Sequence, residues 1–209
     1  MFKTIWKIIE NIFLLPVEEI RYKRIFLDKT PYYKGELKEI YLDKIIVACE
    51  YDENLQKDLK EFKYHRNKRP IEKIMENYSK LFDKFLSNCP KDTLVTWIPL
   101  FPLNIFLRWY NQTYLIWESL ANKKWLEFKK LLIKTKFTRP QARLPKNKRI
   151  LNLKHCFKFK SKYNNSIDWK TILMIDDVIS TWTTANEAAK ILKESWAREV
   201  VGLFLATGR

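Results

Sequence analysis

Two adjacent carboxylates, Asp176 and Asp177, stand between an apolar run and a hydroxyl-rich turn in the segment ILMIDDVISTWTTANEAAKIL, residues 172–192. Paired acidic side chains can hold sugar hydroxyls or the water shell of Mg²⁺, since hard cations take oxygen donors. Ser180, Thr181, Trp182, Thr183 and Thr184 follow, and a helix opening there offers unpaired backbone N–H groups to an anion. Carboxylates followed by anion donors describe a site for a phosphorylated sugar.

Such a site needs a rigid platform. Ile172 to Ile175 form the continuous apolar run expected of a strand buried on both faces, with the carboxylates at its C-terminal end. Upstream, Lys44–Tyr51 and Thr93–Ile98 read as strands, and residues 54–64 and 70–86 read as helices, the second with an apolar face at Ile71, Ile74, Tyr78, Leu81 and Phe85. A Pro-containing loop, a helix over about 111–122, and strands at Leu131–Lys134 and near Phe157–Lys160 lead to the carboxylate segment. Val200–Ala206 is the last strand. Arg21 to Leu42 is charged and tyrosine-rich and shows no period. The alternation of strands and helices predicts an α/β fold, a mostly parallel sheet with helices on both faces. Residues 44–209 form that domain and residues 1–43 a small N-terminal appendage.

The carboxylate segment resembles the phosphoribosyl-diphosphate (PRPP) signature of the type I phosphoribosyltransferases: four apolar residues, two acidic, two apolar, then Ser/Thr-Thr-Gly-x-Thr. Every position fits except Trp182, where the family has glycine. From about Ile45 onward the chain is similar to the competence protein F (ComF) family of phosphoribosyltransferase-like proteins. YDENLQKDLKEFKYHRNK places Lys63 at a family lysine. IPLFPLNIFLRWYNQ retains Arg108, Asn111 and Gln112. TKFTRPQARLPKNKRILNLKHCF keeps Thr138, Gln141, Leu144, Arg149, Asn152 and Phe157 in register.

The resemblance implies a type I phosphoribosyltransferase-like fold in which Asp176 and Asp177 hold the ribose hydroxyls or Mg²⁺ waters. It implies that Ser180, Thr181, Trp182, Thr183 and Thr184 hold the 5′-phosphate. Arg108 is then a pyrophosphate-side contact, a role its planar fork of donors suits. Asn111 and Gln112 belong to the same block, and Lys63 is either a phosphate contact or one more solvated lysine. Leu103 and Asn104 stand where the family has basic residues, which weakens the diphosphate side. Residues 138–152 are expected to form a mobile flap that covers the sugar phosphate and excludes water. The family's zinc-binding cysteine pairs are absent from residues 16–41, so no zinc is expected, and the appendage is expected to be held by packing alone.

Composition narrows the partners. The chain has 209 residues and a net charge of +16, which favours anionic ligands such as nucleotides, diphosphate or nucleic acid. Heavy lysine use is the plainer source of part of that excess. Cys49, Cys89 and Cys156 have no metal or disulfide spacing, and a reducing cytoplasm is the expected setting. His65 and His155 read as structural or surface residues. The apolar stripe Phe2, Ile5, Ile9 and Phe13 is interrupted by Lys3, Lys7 and Glu10; it is too short and charged to span a bilayer, and no cleavage site follows.

Glycine usage is the anomaly. Three glycines, Gly35, Gly202 and Gly208, stand against eight tryptophans, where average usage of about 7% predicts roughly 15 glycines. Trp109 and Trp182 sit at family glycines, Trp196 in a helix-to-strand turn, Trp169 before the carboxylate strand and Trp125 after a helix. All five are places where backbone geometry favours glycine. Either these glycines have been replaced, or a UGA codon read as glycine in some bacterial codes and as tryptophan in others has been translated in the wrong one.

Two functions follow. In the first, Mg²⁺-PRPP binds at the DDVISTWTT loop and a nucleophile displaces diphosphate at C1; positioning and charge stabilisation carry the reaction, and the acceptor is not readable. In the second, the same fold binds single-stranded DNA without transfer chemistry, as the family's link to DNA uptake and competence implies. Phe137, Phe157, Phe159 and Tyr163, interleaved with basic residues, would stack the bases.

Overall fold

The computed structural model describes backbone and side chains of residues 39–49, 51–61, 86, 89–101, 126–137, 153, 155–164, 166–179 and 182–207, and backbone alone for 24–28, 50 and 62–65. The expected helices at 70–86 and 111–122, the flap and the N-terminal stripe lie outside these residues, Leu86 excepted.

The described elements run β1 (Arg24–Asp28), β2 (Lys44–Glu50), α1 (Glu53–His65), β3 (Leu94–Trp97), β4 (Glu127–Phe128), β5 (Leu132–Lys134), β6 (Phe157–Phe159), β7 (Thr171–Ile179), α2 (Trp182–Glu194) and β8 (Glu199–Thr207). Six strands form one sheet in the order β1-β2-β8-β7-β3-β4. Every pairing from β2 to β4 is parallel, and β1 closes the other edge antiparallel to β2. The expected α/β architecture is therefore present.

Both faces are covered. Leu55 and Leu59 of α1 pack with Ile46, Val95, Leu173, Ile175, Val201 and Leu203 on one side. Ala185, Ala188, Ala189 and Leu192 of α2 pack with Ile45, Val47, Leu94, Ile172, Met174 and Phe204 on the other. Successive β7 residues thus feed opposite layers, which is why its apolar run is unbroken instead of alternating. Gly202 lies at the centre of β8, where a Cβ would come within 2.6 Å of the Phe204 ring.

Three features depart from the sequence reading. Arg24–Asp28, which shows no period, is a strand because its backbone groups complete the open side of β2. Leu132–Lys134 does not join the large sheet; it pairs antiparallel with β6, as Leu132↔Phe159 and Lys134↔Phe157, in a two-stranded sheet over the α2 face. The segment before β2 is not held by packing alone. The Asn186 amide of α2 accepts from the Tyr41 N–H at 2.9 Å and donates to the Glu39 carbonyl at 2.9 Å. No helix among the described residues is long and apolar enough to cross a membrane.

Candidate functional site

The place where a parallel sheet can hold a ligand is fixed by its connections. The chain leaves β7 through α2 towards β8, and leaves β3 in the opposite direction to reach β4. The carboxyl ends of β3 and β7 therefore flank a topological switch point, the position at which open α/β sheets leave a crevice.

The geometry of β7 opens that crevice at the carboxylates. Its pairing with β3 runs from Leu94↔Ile172 to Trp97↔Ile175, and the Ile98 amide donates a last hydrogen bond to the Ile175 carbonyl at 3.1 Å. Pairing with β8 continues to Ile179↔Thr207. The sequence places the aspartates at the strand's end; the structure keeps them inside a longer strand, at the point where its β3 neighbour departs. Both are half-buried. Asp176 Oδ1 accepts from the Asp177 N–H at 2.9 Å, and Asp177 Oδ1 accepts from the Val178 N–H at 2.7 Å.

α2 begins at Trp182, three residues beyond the end of β7. Thr183 and Thr184 are half-buried in its first turn. The Trp182 side chain is 3% exposed and belongs to the core with Ile98, Ile179, Phe157 and Ala185. Ser180 and Thr181, and Arg108, Asn111 and Gln112 of the other predicted block, lie outside the described residues. The backbone of Lys63 falls near the end of α1, about 15 Å along the helix axis from Glu53. Its side chain is outside the described set. Of the predicted site side chains, the structure thus describes those of Asp176 and Asp177 on β7 and those of Trp182, Thr183 and Thr184 in the first turn of α2.

One basic residue missed in the sequence lies within electrostatic reach of Asp176. Lys134 ends β5 with its Nζ 5.6 Å from the centroid of the Phe157 ring. Burial lowers its pKa below the ordinary lysine range, while Cys156 and Asp176 pull in the opposite direction. Lys134 is therefore close enough to Asp176 to feel its charge. It is the last residue of a predicted strand at the mouth of the basic stretch, a position that could have marked it. Phe137, 55% exposed, stands edge-on to Phe101 at 5.7 Å.

The donor set suits a hard cation in one way. Among the described residues no cluster of three or more His, Cys, Asp or Glu could hold a metal alone. Mg²⁺ is commonly held by one or two carboxylates, waters and substrate phosphates. Asp176 and Asp177 fit that pattern, in which the substrate brings most of the ligands.

The chain is similar to competence protein F of Haemophilus influenzae, 30% identical over 106 residues, which is 49% of this chain and 45% of that protein. It thus spans about half the length of the curated relative it matches. No family model matches the chain. Among solved structures it is similar to an allosteric regulatory enzyme of purine biosynthesis, at 19% identity over 60% of this chain and 24% of the other, with a TM-score of 0.35. It is also similar to a glutamine PRPP amidotransferase from B. subtilis complexed with ADP and GMP, at 21% identity over 59% of this chain and 25% of the other, with a TM-score of 0.35.

Proposed function

We propose that this chain binds Mg²⁺-PRPP at the carboxyl end of β7 and uses it as a phosphoribosyl donor. The observation that supports this reading is the position of Asp176 and Asp177, at the step where β3 leaves the sheet and just ahead of the first turn of α2. The two carboxylates hold the ribose hydroxyls or the metal's waters. The turn over 180–184 takes the 5′-phosphate on backbone amides and hydroxyls, assisted by the positive end of the helix dipole. Bound Mg²⁺ would neutralise diphosphate charge as the C1–O bond breaks and the leaving diphosphate takes the electron pair. An acceptor nucleophile then forms the new bond to C1. Lys134 adds a positive charge over the same crevice, and Arg108, Asn111 and Gln112 supply the diphosphate side.

Isothermal titration of PRPP with and without Mg²⁺ tests this. A saturable, Mg²⁺-dependent isotherm is expected, and its absence would overturn the reading. The exposed Phe137 beside Phe101, at the head of the basic stretch, supports a second reading, the binding of single-stranded DNA by stacking. An oligonucleotide affinity that falls steeply with salt, with no PRPP affinity, would select it.

A further inference from the structure

Two turns at the amino edge of the sheet have backbone geometries that call for glycine, and both carry tryptophan. α2 ends in a Schellman motif: the Trp196 N–H donates to the Lys193 carbonyl and the Ala197 N–H to the Leu192 carbonyl, each at 3.1 Å. Ala197 and Leu192 are both buried in the same core cluster, as the apolar pair of such a motif should be. Trp196 is then the residue after the cap, with φ 70°. That is the position glycine dominates, because a Cβ in the left-handed region clashes with the backbone.

The second turn is independent of the first. The Lys170 N–H donates to the Ile167 carbonyl at 3.0 Å, closing a β-turn over residues 167–170. Trp169 is its third residue, with φ 55°, while Asp168 before it does not have positive φ. This is the type II pattern, whose third position requires glycine or asparagine. The turns are tied by a hydrogen bond from the Trp169 N–H to the Trp196 carbonyl at 3.1 Å. Glycine would make that bond equally well.

Neither indole has packing that offsets the strain. Trp169 is 72% and Trp196 74% exposed, whereas Trp97 is buried and stacks on Phe128 at 5.1 Å. The other described non-glycine residue with positive φ is His155, at 55°, a type that tolerates the left-handed region several-fold better than bulky residues. Two bulky, solvent-facing residues at two glycine positions, in a chain with three glycines and eight tryptophans, have a common cause more simply than two separate ones.

We propose that positions 169 and 196 are glycine in the protein as its own cell makes it, inserted at UGA codons that a different genetic code reads as tryptophan. The open groove of about 430 Å³ bordered by the two indoles, Asp168 and Glu194 would then be a product of the translated tryptophans rather than a ligand site. Peptide mass spectrometry on protein purified from the native cell, covering residues 164–198, decides it. Glycine at both positions is the expected result, and tryptophan at either overturns the proposal. As a second measurement, the recombinant W169G/W196G double variant is expected to melt roughly 4–10 °C higher than the tryptophan form. An unchanged or lower melting temperature would contradict the strain on which the proposal rests.

Discussion

Asp176 Oδ1 accepts the amide proton of Asp177 at 2.9 Å, so the first carboxylate of the pair is oriented by the backbone of the second. Asp177 is oriented in turn by the amide of Val178 at 2.7 Å. An asparagine at either position has an oxygen that can accept the same bond, so Asp176→Asn and Asp177→Asn remove charge with little change of local structure. Each is expected to weaken Mg²⁺-PRPP binding at least about tenfold, the scale of a lost charge-assisted hydrogen bond. The melting temperature should stay within a few degrees of the parent. Titration calorimetry alongside a thermal melt separates the two effects, and unchanged affinity in both variants would contradict the assigned role.

Lys134 is expected to give the proposed site a pH dependence. Its pKa is lowered from the ordinary lysine value, mainly by burial, so it loses its charge at lower pH than an exposed lysine. PRPP affinity is expected to decline as the pH rises through that lowered value, and Lys134→Met should both weaken binding about tenfold and flatten the decline. The stability sign is opposite. Between the folded and unfolded pKa values the unfolded chain holds the extra proton, so stability rises with pH across that window. A pH series of isotherms and melts on both proteins reads both slopes; an identical affinity slope in the methionine variant would count against Lys134.

Cys49 and Cys156 are buried and Cys89 is half-buried against the core, and all three should behave as unreactive thiols. Burial pushes the Cys89 pKa up to about 12 and that of Cys156 up to about 11, and the Cys49 thiol donates to the Leu205 carbonyl at 3.0 Å. Alkylation at about pH 8 is expected to be slow while the protein is folded and to become fast in denaturant. A folded pKa above that of a free thiol means that the stability contributed by these two protonated thiols is present below about pH 9 and is lost as the pH climbs through their folded values. Modification of Cys89 or Cys156 in the folded protein at the rate of a free thiol would contradict this.

Asn186 ties the segment before β2 to α2 through both ends of its amide, and it is 6% exposed. Replacing it with alanine strands the Tyr41 N–H and the Glu39 carbonyl, and should cost about 1–3 kcal/mol in denaturant unfolding. The exposed Arg198–Asp92 ion pair at 2.9 Å is a useful contrast. Its removal through Asp92→Ala should cost less than about 1 kcal/mol. A larger loss at Asp92 than at Asn186 would reverse this account of what anchors the edges of the sheet.

The parallel core was legible because its signals are local. A run such as Ile172–Ile175 can be buried on both faces only between two helical layers, and α1 and α2 supply them. β1 and the β5–β6 pair were harder to read, since their partners lie far off in the chain and no pattern within Arg24–Asp28 or Leu132–Lys134 encodes the pairing. Lys134 was missed for the same reason: its link to Asp176 exists only after the small sheet folds over α2. The left-handed backbone at 169 and 196 was legible from turn chemistry, and the structure supplies the φ values; Trp182, read as a third glycine-favouring position, has no positive φ and packs in the core, and Trp109 and Trp125 lie outside the described residues.

The claim that a phosphorylated sugar binds at the tip of β7 is tested most directly by amide hydrogen exchange with and without Mg²⁺-PRPP. The account predicts new protection concentrated over residues 176–186, where the carboxylates and the first turn of α2 meet the ligand, and its loss in Asp176→Asn. Binding that leaves those amides unchanged, or protects the basic stretch after Phe137 alone, would contradict it.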